Sequence, residues 1–124
     1  MPMEYAIDKA ARMIFTRAWG TLTDEELLGY QRRLRADPAH NPAYSELVDF
    51  SQVEQAPVST DAIQALADNA LWEPGVRLAI IAPTDLKFGL TRMYQAMSPD
   101  ESQQIHVFRN KLEARAWLGL ETEG

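Results

Sequence analysis

The sequence has no cysteine and only two histidines, His40 and His106, which lie far apart in the chain. Without cysteine, disulfide bonds, zinc–thiolate sites and a thiol nucleophile are excluded. Two distant histidines do not have metal-ligand spacing, so we expect no bound metal. A cysteine-free chain suits a reducing compartment, and we therefore expect a cytoplasmic protein.

Long apolar runs and an excess of basic residues are also missing. No apolar run approaches the roughly 18 residues of a transmembrane helix, and the N-terminus lacks the basic and apolar segments of a signal peptide. The 18 acidic and 12 basic residues give a net charge of -6. This charge opposes binding to nucleic-acid phosphates and to anionic membranes. We therefore expect neither a membrane span nor a nucleic-acid partner.

The centre of the chain is a strand pattern at residues 46–53, with the sequence ELVDFSQV. It reads as a buried strand that ends in polar side chains, and a helix start follows within ten positions. The chain has 124 residues, of which 46% are hydrophobic, enough for one domain with a substantial core. Residues 1–124 are therefore predicted to form a single domain.

The first part of the chain predicts a β-hairpin. Met3, Tyr5 and Ile7 alternate with polar or small residues, which is the period of a half-buried strand. A turn at residues 8–11 leads to a second strand over residues 12–19.

Sequence patterns typical of helix starts, each with a capping residue, alternate with the later strand patterns. Thr23 has Glu26 at the capping-box position, and Asn110 has Glu113 there. Ser59 caps a second helix, and Thr84 or Asp85 begins a third.

Further strand patterns lie at residues 77–82 and 104–108. The predicted order is β-β-α-β-α-β-α-β-α: an α/β fold with a mostly parallel five-stranded sheet, an N-terminal antiparallel hairpin and helices packed on the sheet. In the last helix we expect Leu112, Ala116, Trp117 and Leu120 to face the core.

Ligands of open parallel sheets bind outside the carboxyl ends of the strands. The polar side chains that the predicted order brings to this edge are Asp49, Ser51, Ser59, Thr84, Lys87 and Arg109. Helix N-termini point free amides to the same side, and the two basic residues add positive charge. This polar edge could bind a small anion or an acidic segment of a protein partner; ordinary capping and loop polarity is the alternative.

No nucleophile elbow and no phosphate loop occurs in the chain. We therefore predict no catalytic residues, no cofactor and no enzymatic activity. The apolar residues Phe88, Met93, Tyr94 and Met97 share one face of the third predicted helix. They form either plain core or the lining of a lipid-like pocket.

Several motifs, taken in order, resemble the SpoIIAA-like, or STAS-type, superfamily, and more narrowly its uncharacterised bacterial STAS/SEC14 domain members. They are WGTLT at 19–23, LVDFS at 47–51, FGLTRMY at 88–94, VFR at 107–109 and AWL at 116–118. The resemblance covers nearly the whole chain. It implies a SpoIIAA-like fold and a non-enzymatic regulatory or protein-interaction module that binds a protein partner or forms a homodimer. The alternative is a SEC14-like carrier of a small apolar or anionic ligand.

In the better-known members of this superfamily, a partner kinase phosphorylates a serine at the start of the helix after the central strand. Here Ser59 and Thr60 occupy a similar place, after a longer loop. The Asp-Ser-Ser-Gly segment that should follow Asp49-Phe50-Ser51 is absent.

Overall fold

The computed structural model describes residues 3–69, 75–82 and 105–120. These residues form five strands and three helices. In chain order they are β1 (Met3–Asp8), β2 (Met13–Thr21), α1 (Asp24–Ala36), β3 (Ser45–Gln55), α2 (Thr60–Asp68), β4 (Leu78–Ile81), β5 (Ile105–Phe108) and α3 (Lys111–Trp117).

The five strands form one sheet in the order β1-β2-β3-β4-β5. β1 and β2 are antiparallel, and every other neighbouring pair is parallel. The predicted fold class, a mostly parallel sheet with an N-terminal antiparallel hairpin, is confirmed. The helix predicted to start at Thr84 or Asp85 lies outside the described residues.

The hairpin forms around a turn held by Asp8. Its Oδ1 atom accepts a hydrogen bond from the Ala11 N–H at 3.0 Å. Arg12 then takes a φ of 56°, an uncommon conformation for a residue other than glycine. The turn thus reverses the chain without the Asn-Gly pair that usually marks a tight hairpin.

All three described helices begin at the predicted capping residues. The side chain of Thr23 accepts from the Glu26 N–H, that of Ser59 from the Ala62 N–H, and that of Asn110 from the Glu113 N–H. Each cap satisfies an amide that would otherwise lack a partner in the first helical turn. The three helix starts are therefore fixed by local sequence.

The two faces of the sheet are covered differently. Leu27, Tyr30 and Leu34 of α1 pack on one face, and Leu66 of α2 joins the same cluster. On the opposite face the described cover is α3, which has seven residues and packs against β3, β4 and β5. The cluster beneath α3 contains Met13, Leu47, Ala79, Ile81 and Ala114.

The orientation of α3 corrects part of the predicted core. Leu112 is 63% exposed and Ala116 is also exposed, whereas Ala114 is fully buried. Residues two positions from Ala114 are about 200° away around the helix, so they point to solvent when Ala114 faces the sheet. Trp117 and Leu120 do pack against the core, as predicted.

A carboxylate is buried between α1 and the sheet. Glu46 is only 3% exposed, and its Oε2 atom accepts hydrogen bonds from the phenol of Tyr30 and from the Thr16 hydroxyl. Burial, reinforced by this carboxylate, raises the pKa of Tyr30 well above 10. Three polar side chains from α1, β2 and β3 thus satisfy one another inside an apolar layer.

Trp117 should contribute far more to stability than Leu112 on the same helix. The Trp117 ring packs against the core cluster and stacks on His106 with a centroid distance of 4.5 Å. We expect Trp117→Ala to lower the free energy of unfolding by about 2 kcal/mol, less than for a fully buried tryptophan. Leu112→Ala, the matched control, should change it by less than about 0.5 kcal/mol. Equal effects in urea unfolding would contradict the observed docking of α3.

Tyr5 should make stability dependent on alkaline pH. Burial, together with a hydrogen bond to Asp37 at 2.7 Å, raises the pKa of Tyr5 to about 12. Since an unfolded tyrosine ionises near 10, this stabilisation is complete below pH 10 and is lost as the pH rises through about 12. Urea unfolding at several pH values should show a smaller loss above pH 10 for Tyr5→Phe than for the wild type. Identical pH profiles would show that Tyr5 ionises normally.

Candidate functional site

Part of the predicted site lies level with the carboxyl ends of β4 and β5, where β3 continues past them. Asp49 pairs in register with Ile81, which pairs with Phe108, and Arg109 follows immediately. The backbones of Asp49 and Arg109 are therefore two strand spacings apart, about 10 Å. The Asp49 Oδ1 atom accepts from the Ser51 N–H at 2.8 Å. We call Asp49, Ser51 and Arg109 the carboxyl rim.

Ser59 belongs to a contact between two helix N-termini. Its hydroxyl donates to Oδ2 of Asp24 at 2.7 Å, and its N–H donates to Oδ1 of the same carboxylate at 2.8 Å. The carboxylate of Asp24 thus already occupies the place where an anion would meet Ser59. This Ser59–Asp24 contact joins the starts of α1 and α2.

Two members of the predicted site, Thr84 and Lys87, lie outside the described residues. The structure therefore places four of the six: three at the carboxyl rim, and Ser59 in its contact with Asp24. Their role in binding remains a prediction.

A groove adjoins the carboxyl rim on the sheet face that carries α3. It has a volume of about 290 Å³. Its lining comprises Glu4, Tyr5, Ala6, Phe15, Thr16, Arg17, Leu47, Asp49, Lys111 and Arg115. Asp49 belongs to both the rim and the groove, so the two form one continuous surface.

The groove combines an apolar floor with charged walls. Exposed Ala6 and half-buried Phe15, both on the hairpin, provide its apolar surface, and Leu47 beneath them is buried. Arg17 forms an ion pair with Glu4, with 2.7 Å between Nε and Oε2, and both side chains are more than half exposed. The guanidinium of Arg17 also lies 4.5 Å from the centroid of the Trp19 ring. Such a surface suits non-covalent binding of a chain or ligand with both apolar and charged groups.

The described histidines lie in separate environments. His106 on β5 stacks on Trp117, and the Arg77 guanidinium lies 5.1 Å from the centre of the same indole ring. His40 lies in the loop after α1, where burial lowers its pKa against an opposing effect of Asp37. Within residues 3–69, 75–82 and 105–120, no three histidine or acidic side chains are grouped to hold a metal ion. None of the helices in these ranges has the length and apolarity to cross a membrane.

Comparison with known proteins supports the architecture. No protein-family model and no curated protein sequence matches the chain. Among solved structures, it is similar to an uncharacterized protein of the DUF3478 family, with a SpoIIAA-like fold, from Shewanella loihica PV-4. The two chains are 22% identical and superpose with a TM-score of 0.61, over 94% of this chain and 93% of the other.

The chain has a SpoIIAA-like fold. The resemblance stated from the motifs is therefore confirmed at the level of fold. In this SpoIIAA-like fold, the helix after the central strand is α2, and its N-cap is Ser59.

The two basic side chains of α3 that line the groove were not predicted from the sequence. Lys111 and Arg115 are four residues apart on α3, a spacing that places two side chains on one side of a helix. Arg17 and Asp49 pair in register on neighbouring strands, so both reach the same sheet face. These spacings were readable in the sequence, but the side of the sheet on which α3 packs was not.

A negative charge at residue 59 should destabilise the protein through Asp24. Aspartate is a good N-cap, so Ser59→Asp keeps the capping oxygen but sets two carboxylates against each other. We expect urea unfolding at low salt to show a loss of about 1 kcal/mol, and Asp24→Asn to restore most of it.

The matched control is Thr60→Asp, which adds the same charge one residue later. A carboxylate in the first turn of α2 interacts favourably with the helix dipole, so this change should be neutral or slightly stabilising. Equal losses for the two variants would argue against a specific repulsion between residue 59 and Asp24.

Proposed function

We propose that the protein is a non-enzymatic regulatory or protein-interaction module, and that its partner binds at the carboxyl rim and in the adjoining groove. The observation that carries this proposal is the groove itself. It lies beside α3 and meets the rim at Asp49. The SpoIIAA-like fold is compatible with such a module, since a fold leaves function to the sites it carries.

The environments of the groove carboxylates favour binding over catalysis. Glu4 is more than half exposed and is paired with Arg17. Asp49 accepts the amide of Ser51. Catalytic carboxyls usually lie in desolvated positions, whereas the Glu4 side chain is exposed to solvent.

The shape of the groove favours a segment of a protein over a small molecule. Typical small-molecule sites have about 300–1,000 Å³ and enclose most of the ligand. This groove has about 290 Å³, and Glu4, Ala6, Arg17 and Lys111 along it are exposed. The partner would be another protein or a second copy of the chain, and the cysteine-free composition suits a cytoplasmic location.

The second candidate function is a carrier of a small apolar or anionic ligand. Ala6 and Phe15 in the groove favour it, because they offer apolar surface beside charged side chains. Native mass spectrometry of the protein purified from its own cells separates the candidates. A retained small molecule would favour the carrier, and a mass equal to that of the bare chain would favour the interaction module.

Charge reversal at the rim tests the proposed surface. Arg109→Glu at the carboxyl rim combined with Lys111→Glu in the groove changes two exposed residues, so the fold should tolerate it. The amount of partner protein retained should be at least about tenfold lower on the immobilised variant than on the immobilised wild type.

The control reverses two exposed cations elsewhere, Lys9→Glu in the hairpin turn and Arg32→Glu on α1. It should retain the same proteins as the wild type. If both charge-reversed forms retain all of these proteins at wild-type levels, the partner surface lies elsewhere.

A further inference from the structure

We infer that the open edge of β1 binds a segment of a partner protein by antiparallel strand addition, and that this segment alternates basic with apolar residues. Within the described residues, β1 is the first strand of the sheet and pairs with β2 alone. Strand addition to a sheet edge is a recurring mode of peptide recognition, in which backbone hydrogen bonds provide affinity and side chains provide specificity. The inference goes beyond the proposed function, which concerns the carboxyl rim and the groove.

The edge of β1 has little of the protection that edge strands usually carry. Such strands are commonly very short, kinked by a bulge, or marked by proline or lysine. The strand Met3–Asp8 has six residues in continuous register with β2 and contains neither proline nor lysine. Its first residue is covered by Arg33 of α1, whose side chain donates to the Met3 carbonyl oxygen at 3.2 Å. In the part of the chain that the structure describes, the rest of this edge is open to a further strand.

The Met3 carbonyl indicates which backbone groups an added strand would meet. Because this oxygen accepts from a side chain of α1, it points away from β2. In an antiparallel pair, residues that bond the partner strand through both backbone groups alternate with residues that do not. Tyr5 and Ile7 follow Met3 at intervals of two, so their N–H and C=O groups should also point away from β2. Two donors and two acceptors are thus available for pairing.

The side chains of β1 set different requirements on the two faces of the added segment. Glu4, Ala6 and Asp8 are exposed, on the face that carries α3. Tyr5 and Ile7 are half-buried and pack against the core cluster beneath α1. Directly opposite residues of paired antiparallel strands place their side chains on the same face, in contact. Apolar residues opposite Tyr5 and Ile7 would therefore extend the core cluster.

The exposed face of β1 is acidic. Glu4 uses its Oε2 atom to pair with Arg17 and is 56% exposed, and Asp8 uses its Oδ1 atom to accept from the Ala11 N–H. Each carboxylate therefore has a second oxygen that can accept from an incoming cation. Two carboxylates against one guanidinium leave this side of the hairpin negative, on a chain of net charge -6. Opposite charges across paired strands are favourable, so basic residues suit these positions.

The cations of the hairpin turn are engaged elsewhere. The ammonium of Lys9 interacts electrostatically with Asp37 at the end of α1. The guanidinium of Arg12 lies 5.5 Å from the centroid of the Tyr44 ring, which belongs to the cluster beneath α1. Both contacts lie on the side of α1, whereas Glu4 and Asp8 face the other side. A second copy of the chain is a poor occupant of the edge, because its own β1 would bring the same two carboxylates and no basic residue.

The inferred segment is represented by the peptide acetyl-Lys-Val-Thr-Val-Lys-amide. Read in the antiparallel direction, its five side chains lie opposite Asp8, Ile7, Ala6, Tyr5 and Glu4. The lysines then meet the two carboxylates, and the valines meet the two half-buried residues. Antiparallel pairs are slightly more stable per residue than parallel ones, which favours this direction.

The test titrates this peptide into the full ¹⁵N-labelled chain and follows it by NMR. Chemical shifts should change mainly on β1, and hydrogen exchange at the amides of Tyr5 and Ile7 should slow. A peptide with both valines N-methylated keeps the charges but lacks the donors that face β1, and a peptide with glutamate in place of lysine keeps the donors but reverses the charges. Each should bind at least about tenfold more weakly.

A pair of variants locates the charges that matter. Glu4→Gln with Asp8→Asn keeps the oxygen that holds the turn and should weaken the lysine peptide at least about tenfold. Glu25→Gln with Glu54→Gln removes two exposed charges elsewhere and should leave binding nearly unchanged. The dispersion of each amide spectrum shows whether the fold is kept. Raising sodium chloride from about 20 to 300 mM should weaken binding to the wild type, because exposed charges are then screened.

Three results would overturn the inference. They are no binding of the lysine peptide, equal binding of the N-methylated peptide, and shifts concentrated on α3, which would place the peptide in the groove that Glu4 and Ala6 also line. A dimer in sedimentation experiments with protected Tyr5 and Ile7 amides would show that a second copy occupies the edge, and would likewise contradict a basic partner segment.

The outcome is separable from that of the proposed function. The variant Arg109→Glu with Lys111→Glu, which tests the rim and the groove, keeps the β1 edge and should bind the lysine peptide at least as tightly as the wild type. Peptide binding to β1 together with unchanged retention of partner proteins on that variant would support the edge and contradict the groove.

Discussion

The hydrogen bonds of the buried Glu46 side chain determine which face of β3 is turned toward α1. A buried carboxyl group that loses its hydrogen bonds destabilises the fold by about 1–3 kcal/mol, so the hydroxyls of Tyr30 and Thr16 are held within hydrogen-bonding distance. Because α1 supplies one of these groups and the sheet the other two, the network holds α1 against β2 and β3. Side chains alternate along a strand, so a Glu46 that faces α1 turns Leu47 and Asp49 to the opposite face. The same constraint therefore places both residues in the groove.

The helices cover the two faces of the sheet differently, and this difference leaves a groove on the face opposite α1. On one face, α1 and α2 contact each other, including a hydrogen bond from the Gln31 side chain to the Leu66 carbonyl at 3.1 Å. On the other face, α3 packs on β3, β4 and β5 and leaves a groove beside the hairpin. In the part of the chain that the structure describes, that groove joins exposed charge to apolar surface, which is why we propose it as the binding surface.

The sequence predicts features that depend on neighbouring residues and misses those that depend on distant contacts. The caps at Thr23, Ser59 and Asn110 follow from local spacing, and the alternation of strands and helices along the chain predicts the mostly parallel sheet. The contact between Ser59 and Asp24 joins two elements 35 residues apart, so the sequence offered no signal for it. Leu112 was misassigned because its apolar character suits the core, whereas the packing of Ala114 turns it outward. At the predicted site, the roles of Asp49, Ser51 and Arg109 stay predictions, as do those of Thr84 and Lys87.

We propose that the groove beside α3 is exposed in the isolated protein and covered by a partner in the cell. Because the chain has no cysteine, a single introduced thiol can report on one position. Ala6→Cys places it in the groove, and Ala36→Cys places a control thiol at the exposed end of α1. Maleimide labelling should be rapid at both positions in the purified protein, and in cells of the natural host it should slow at residue 6 relative to residue 36. An unchanged ratio of the two rates between purified protein and cells would contradict the account.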